Sequence, residues 1–170
     1  MILGRSMILE YIRQGLIEVV PFSEENVGPG SIDLHIGNQF RVFKAFPGRP
    51  FDVTEEVDNT EISELVETSE PFLLVPSQTV ISITKERIKL AENVCGWLEG
   101  RSRFARIGLQ VHITSSFVHP GFNGKMVLEM VNVSPNALAI HPGIKVCQMI
   151  FADVKGIGRY QGRFIGQETA

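Results

Sequence analysis

Apolar residues recur at helical spacing in one window of this chain and alternate with polar residues in many others. After Ser6, a possible N-cap, the residues Ile8, Leu9, Ile12 and Leu16 form one stripe that stops near Gly15, so an N-terminal helix is predicted. GPGSIDLHIGNQFRVF opens with turn residues and continues as a strand, with Ile32, Leu34 and Ile36 on one face and Asp33 on the other. Gly37-Asn38 then predicts a tight turn into a second strand. Further strands are predicted at PFLLV, at QTVISI beyond a Pro76-Ser77 turn, in the apolar run from Val94 to Leu98, and in LQVHITS. In the last of these Leu109, Val111 and Ile113 share one face, and Gln110, His112 and Thr114 the other. HPGFNG reads as a hairpin-type connection into KMVLEMVNV, after which a Ser-Pro-Asn turn leads to ALAIHPG and IKVCQMIF. Many short strands between Gly and Pro turns, without an internal repeat, indicate an all-β barrel or jelly roll with a few helices outside it.

Two stretches interrupt this scaffold with chemistry. In KMVLEMVNV, Met126, Leu128 and Met130 line one face and Val127 and Val131 the other, yet Glu129 shares the second face. The pattern predicts a buried carboxylate, which must pair with a cation or sit protonated, and both conditions are typical of a general acid/base. RSRFARI, between Gly100 and Gly108, fits one helical turn with Ser102 as N-cap and Gly108 as its stop. On that turn Ser102 and Arg106 share a face while Phe104 and Ile107 can point inward. By spacing alone, Glu129 with Arg106 reads more often as a buried structural ion pair than as a catalytic one. Between Pro47 and Pro71 the seven acidic residues from Glu55 to Glu70 mark a surface excursion. The C-terminal GIGRYQGRFIGQETA has too little periodic apolar content for a core, so it is expected to be a frayed tail or a segment that orders on ligand.

Length fits one domain, 1–170, with enough chain for a real core. A formal net charge of -3 argues against a nucleic-acid partner, although Arg101, Arg103 and Arg106 place three cations close together, which suits a small polyanion. No apolar run approaches the roughly 18 to 20 residues of a membrane span, and the N-terminus lacks a signal pattern, so the chain reads as cytoplasmic with no membrane partner. Cys95 and Cys147 lie apart in apolar runs and are expected to fill core. His35, His112, His119 and His141 show no short metal-ligand spacing. The His-x-Glu and Pro-Cys-x-x-Cys elements of zinc nucleobase deaminases are missing as well, so no zinc and no protein-held metal are expected.

GRSRFARIGL, VHITS, HPGFNGKMVLEMVN, IHPGIKVCQMIF and RYQG, together with GPGSIDLHIGNQF, resemble the dCTP deaminase family of the trimeric dUTPase-like superfamily, in order and over nearly the whole chain. The resemblance implies a dUTPase-like distorted β-barrel or jelly roll with an N-terminal helix and a short helix at the active site. It also implies a homotrimer with active sites between subunits and zinc-independent deamination of dCTP to dUTP and ammonia, with Mg2+ bound through the nucleotide triphosphate. Glu129 matches the family's proton shuttle between water, ring N3 and ammonia. Ser102 and Arg106 match the groups that position the water, and Ser115, where alanine is usual, supplies a backbone carbonyl to it. Arg101 matches a phosphate contact, Arg103 replaces a second serine, and Ile113 and Thr114 belong to the substrate-binding stretch. Residues 157–170 match a tail that closes over the nucleotide, with Arg159 and Tyr160 in place of a lysine-tyrosine pair and Arg163 in place of glutamine. His119 stands where relatives carry an aspartate that contacts the sugar 3'-hydroxyl and, in members cleaving dUTP, activates water. That substitution favours the deaminase over the alternatives of a dUTP diphosphatase or a bifunctional enzyme. Intact Ser102, Arg106 and Glu129 speak against a non-catalytic nucleotide-binding homologue. Asp33 matches an acidic residue of the N-terminal motif, with a strand-edge or turn-capping role equally open.

Overall fold

The alternation read from the sequence closes into a curled antiparallel sheet. The computed structural model describes residues 1–45, 48 and 50–170. In chain order these form α1 (Arg5–Arg13), β1 (Ile17–Val20), β2 (Ile32–Phe43), β3 (Ser63–Glu67), β4 (Phe72–Leu74), β5 (Thr79–Leu90) and β6 (Val94–Gly100). There follow α2 (Ser102–Ala105), β7 (Leu109–Val111), β8 (Phe117–Val118), β9 (Asn123–Asn132), β10 (Leu138–Ile140) and β11 (Lys145–Asp153). The sheet path runs β7-β9-β5-β2-β11-β6-β8, with β1 added to β5 and β3 to β2; β4 and β10 pair separately. The mainly β architecture expected from the alternation is what the chain adopts.

β2 produces the curl, because its two halves serve different neighbours. Ile32 to His35 pair with β11, whereas Ile36 and Phe40 to Val42 pair with β5. The turn expected at Gly37-Asn38 is absent. Gly37 stays in the strand because β5 passes too close for a side chain: an added Cβ would lie 3.0 Å from the Ile83 carbonyl oxygen. A register shift between Ile36 and Phe40 bends the strand instead of ending it. Ile32, Leu34, Ile36 and Phe40 of β2 meet Leu128 and Met130 of β9 and Met149 and Phe151 of β11 in one buried cluster, with Ile8 of α1 packed into it.

Several local expectations change. Ser6 lies inside α1, whose N-cap residue is Gly4, and no side chain caps it. Likewise Arg101, not Ser102, is the N-cap residue of α2. Phe104 packs on the core from that turn, but Ile107 is exposed. LQVHITS forms a strand only as far as Val111, since His112 takes a φ of 61° and turns the chain outward, leaving Ile113 exposed. HPGFNG is not a hairpin: β8 pairs with β6, while β9 pairs with β5 and β7. Of the acidic excursion, Pro47 and Arg49 lie outside the described residues; the described part contains β3, an edge strand along β2. Cys95 and Cys147 are buried and unpaired, as expected, and burial pushes both thiols upward, Cys147 the further. Among the described residues no helix is long and apolar enough to cross a membrane.

Candidate active site

A cleft of about 890 Å³ opens beside β9, between the acidic excursion and the C-terminal segment. Glu129, Ser115, His119, Tyr160 and Arg163 line it. The alternation of β9 explains the placement of Glu129: Met126, Leu128 and Met130 point into the core, so Glu129 must point the other way. That second face, with Val127, Glu129 and Val131, is only partly buried, and Val127 and Glu129 line the cleft, so the expected deep burial of Glu129 does not occur. Nor does Glu129 pair with Arg106, and among the described residues no ion pair reaches its carboxylate. Its Oε2 accepts hydrogen bonds from the Thr114 backbone N–H at 3.1 Å and from Thr114 Oγ1 at 2.7 Å.

The loop after β7 brings Thr114 there. With His112 in a left-handed conformation, its N–H donates to the Glu129 carbonyl at 2.6 Å, and its Nε2 donates to the Ser115 carbonyl at 2.7 Å. The carbonyl expected to hold a water is therefore engaged by His112. His112 Nδ1 is buried and has no partner among the described residues. His112 also lines the cleft, a contribution the sequence reading missed. The signal available was a histidine at the point where alternation gives way to Thr-Ser-Ser, a polar run with turn-forming character.

His119 sits under the C-terminal segment. Its ring stacks on Tyr160, with centroids 5.5 Å apart and planes at 8°, and meets Phe117 edge-on at 4.8 Å. Arg163 donates to Asp58 Oδ2 at 2.9 Å and to the Val57 carbonyl, tying the segment to the excursion. The Thr60 backbone N–H above all, with Arg163 adding, holds the Asp58 carboxyl below its ordinary range. Arg159 instead faces Glu92, at 3.7 Å.

The remaining candidates lie elsewhere. Ser102, Arg103 and Arg106 are exposed on and just after α2 and do not line the cleft. Arg101 is committed to Asp33 at 3.2 Å and to the Lys145 carbonyl at 3.0 Å, which gives Asp33 a partner the sequence did not identify. One chain thus brings together Glu129, Thr114, Ser115, His119, Tyr160 and Arg163, but not the α2 cations or Ser102. Among the described residues no three His, Cys, Asp or Glu side chains are grouped to hold a metal ion.

Residues 2–154 match the family described as dCTP deaminase-like. The chain belongs to that family. A relative from Methanobrevibacter smithii, named dCTP deaminase, dUMP-forming, is 34% identical over 153 residues, covering 88% of this chain and 79% of that one. A relative from Marinomonas sp., named dCTP deaminase, is 36% identical over 160 residues, covering 88% of this chain and 81% of that one. The crystal structure of 2'-deoxycytidine 5'-triphosphate deaminase from Agrobacterium tumefaciens shares the fold, with a TM-score of 0.69 at 19% identity. The match covers 88% of this chain and 48% of that one, so the chain spans about half the length of the solved protein.

Proposed function

We propose that this chain hydrolyses dCTP to dUTP and ammonia without zinc. The observation that carries the reading is Glu129, held at the cleft wall with one carboxylate oxygen free of partners among the described residues, in a chain of the dCTP deaminase-like family. Attack at C4 needs a water to lose a proton, and a carboxylate within reach of both water and ring can take it. Glu129 passes that proton to N3 as the C4–O bond forms. It then transfers the second water proton to the amine, C4–N breaks, and ammonia leaves from a C4 carbonyl. Ser115 and His119 border the ring and sugar, and Arg163 and Tyr160 the triphosphate end.

Because Ser102 and Arg106 lie off the cleft, the reading assigns them, with Arg101 and Arg103, to the site of a neighbouring copy in a homotrimer. Magnesium enters on the triphosphate oxygens.

The dUMP-forming name of the Methanobrevibacter relative favours a second reading, in which dUTP is cleaved further. A product assay with dCTP and dUTP offered separately, with magnesium, separates the two. Ammonia and dUTP from dCTP, with little pyrophosphate from either nucleotide, is the expected result, because His119 replaces the aspartate that would activate water at the α-phosphate. Pyrophosphate and dUMP from dCTP would establish the second reading. Cleavage of dUTP with dCTP untouched would overturn the deaminase assignment.

A further inference from the structure

We infer that Thr114 is the positioning residue for Glu129, fixing one carboxylate oxygen so that the other alone carries protons. This rests on Glu129 being the proton shuttle, as proposed above. The geometry is asymmetric: the N–H and the hydroxyl of Thr114 both reach Oε2, at 3.1 and 2.7 Å, and Oε1 has no partner among the described residues. A carboxylate on a free two-torsion stem samples many rotamers, and two donors from one residue select one of them. The same loop is anchored to the same residue from behind, where His112 N–H donates to the Glu129 carbonyl at 2.6 Å. Backbone and side chain of Glu129 are therefore held by one short segment, and Thr114 moves only if that segment moves.

Thr114 is exposed, so its hydroxyl is not required there to satisfy a buried partner. Its removal leaves no orphaned group in the core, and its contribution falls on the orientation of Oε1. With Oε2 occupied, Oε1 takes the proton from water, gives it to N3 and later passes the second proton to the leaving amine. Each transfer depends on the same oxygen facing C4, so loss of orientation lowers turnover more than binding.

The test compares Thr114→Val, which keeps shape and the backbone donor, with Thr114→Ser, which keeps the hydroxyl. Thr114→Val should lose roughly ten- to hundredfold in kcat, the cost of one hydrogen bond to a charged group, with KM for dCTP within about threefold. Thr114→Ser should restore kcat to within about threefold of the parent. Thr114→Ala, which drops the same hydroxyl with less bulk, must show the same kcat loss at an unchanged thermal midpoint. Full kcat in Thr114→Val, an equal loss in Thr114→Ser, or a loss confined to KM would overturn the inference. Glu129→Gln measured alongside keeps the two ideas apart. Turnover retained in Glu129→Gln would remove the proton shuttle itself, whereas an inactive Glu129→Gln beside an unimpaired Thr114→Val removes only the positioning role.

Discussion

Gly108 ends the α2 turn with a φ of 86°, and an added Cβ would sit 2.7 Å from Ser134 Cβ and 2.8 Å from Ser134 N. Both the backbone conformation and the space demand glycine, so Gly108→Ala should cost roughly 1–3 kcal/mol in denaturant unfolding. An unchanged midpoint would mean that the turn and the Ser134 segment separate easily. That glycine was legible in the sequence as a helix stop; its packing against Ser134 was not, since no local pattern encodes a neighbour 26 positions away. Glu129 was legible for a related reason. A charged residue in an apolar strand violates the local pattern and draws notice, but whether its face meets core or cleft depends on what covers β9. Thr114 gave no such signal, because a threonine after a strand is ordinary until the φ of His112 aims it back at Glu129.

The C-terminal segment shows how low apolar content can hide a docked element. Tyr160 N–H donates to the Pro120 carbonyl at 2.8 Å, Gly166 N–H to the Asn123 carbonyl at 2.7 Å, and Lys125 N–H to the Gln167 carbonyl at 2.8 Å. Glu168 pairs with Arg87 and Lys125, and Arg41 Nε donates to the Ala170 carbonyl at 2.5 Å. The segment is held by backbone hydrogen bonds and by partly buried cations, neither of which leaves a hydrophobic period in the sequence. Deleting residues 157–170 should raise KM for dCTP and lower kcat, because Tyr160 and Arg163 leave the cleft. Steady-state kinetics identical to the parent would show the segment to be idle. β3 escaped detection for a comparable reason: as an edge strand with only Ser63 buried, it has no apolar alternation to read. β9 and β11, with regularly alternating buried positions, were visible, and β5 was visible as far as Ile83.

The separation of Glu129 from Ser102 and Arg106 makes assembly part of the catalytic question. If each site combines a β9 wall from one copy with an α2 turn from another, Glu129→Gln and Arg106→Ala proteins, each inactive alone, should regain part of the parent activity when co-expressed in mixed assemblies. Folded mixed assemblies without activity would place both residues in service of the same chain. The position of β11 carries a different consequence. It is the last strand to be made, yet it lies between β2 and β6 and also receives the N-terminal Ile2 through a bridge to Ala152. A ribosome-bound chain that has emerged only as far as Ile140 must hold the matching edges of β2 and β6 open, with no partner for either. Those edges are where nascent chains would find one another, so synthesis rate and chaperone occupancy while residues 141–153 emerge set how much of this protein reaches its fold.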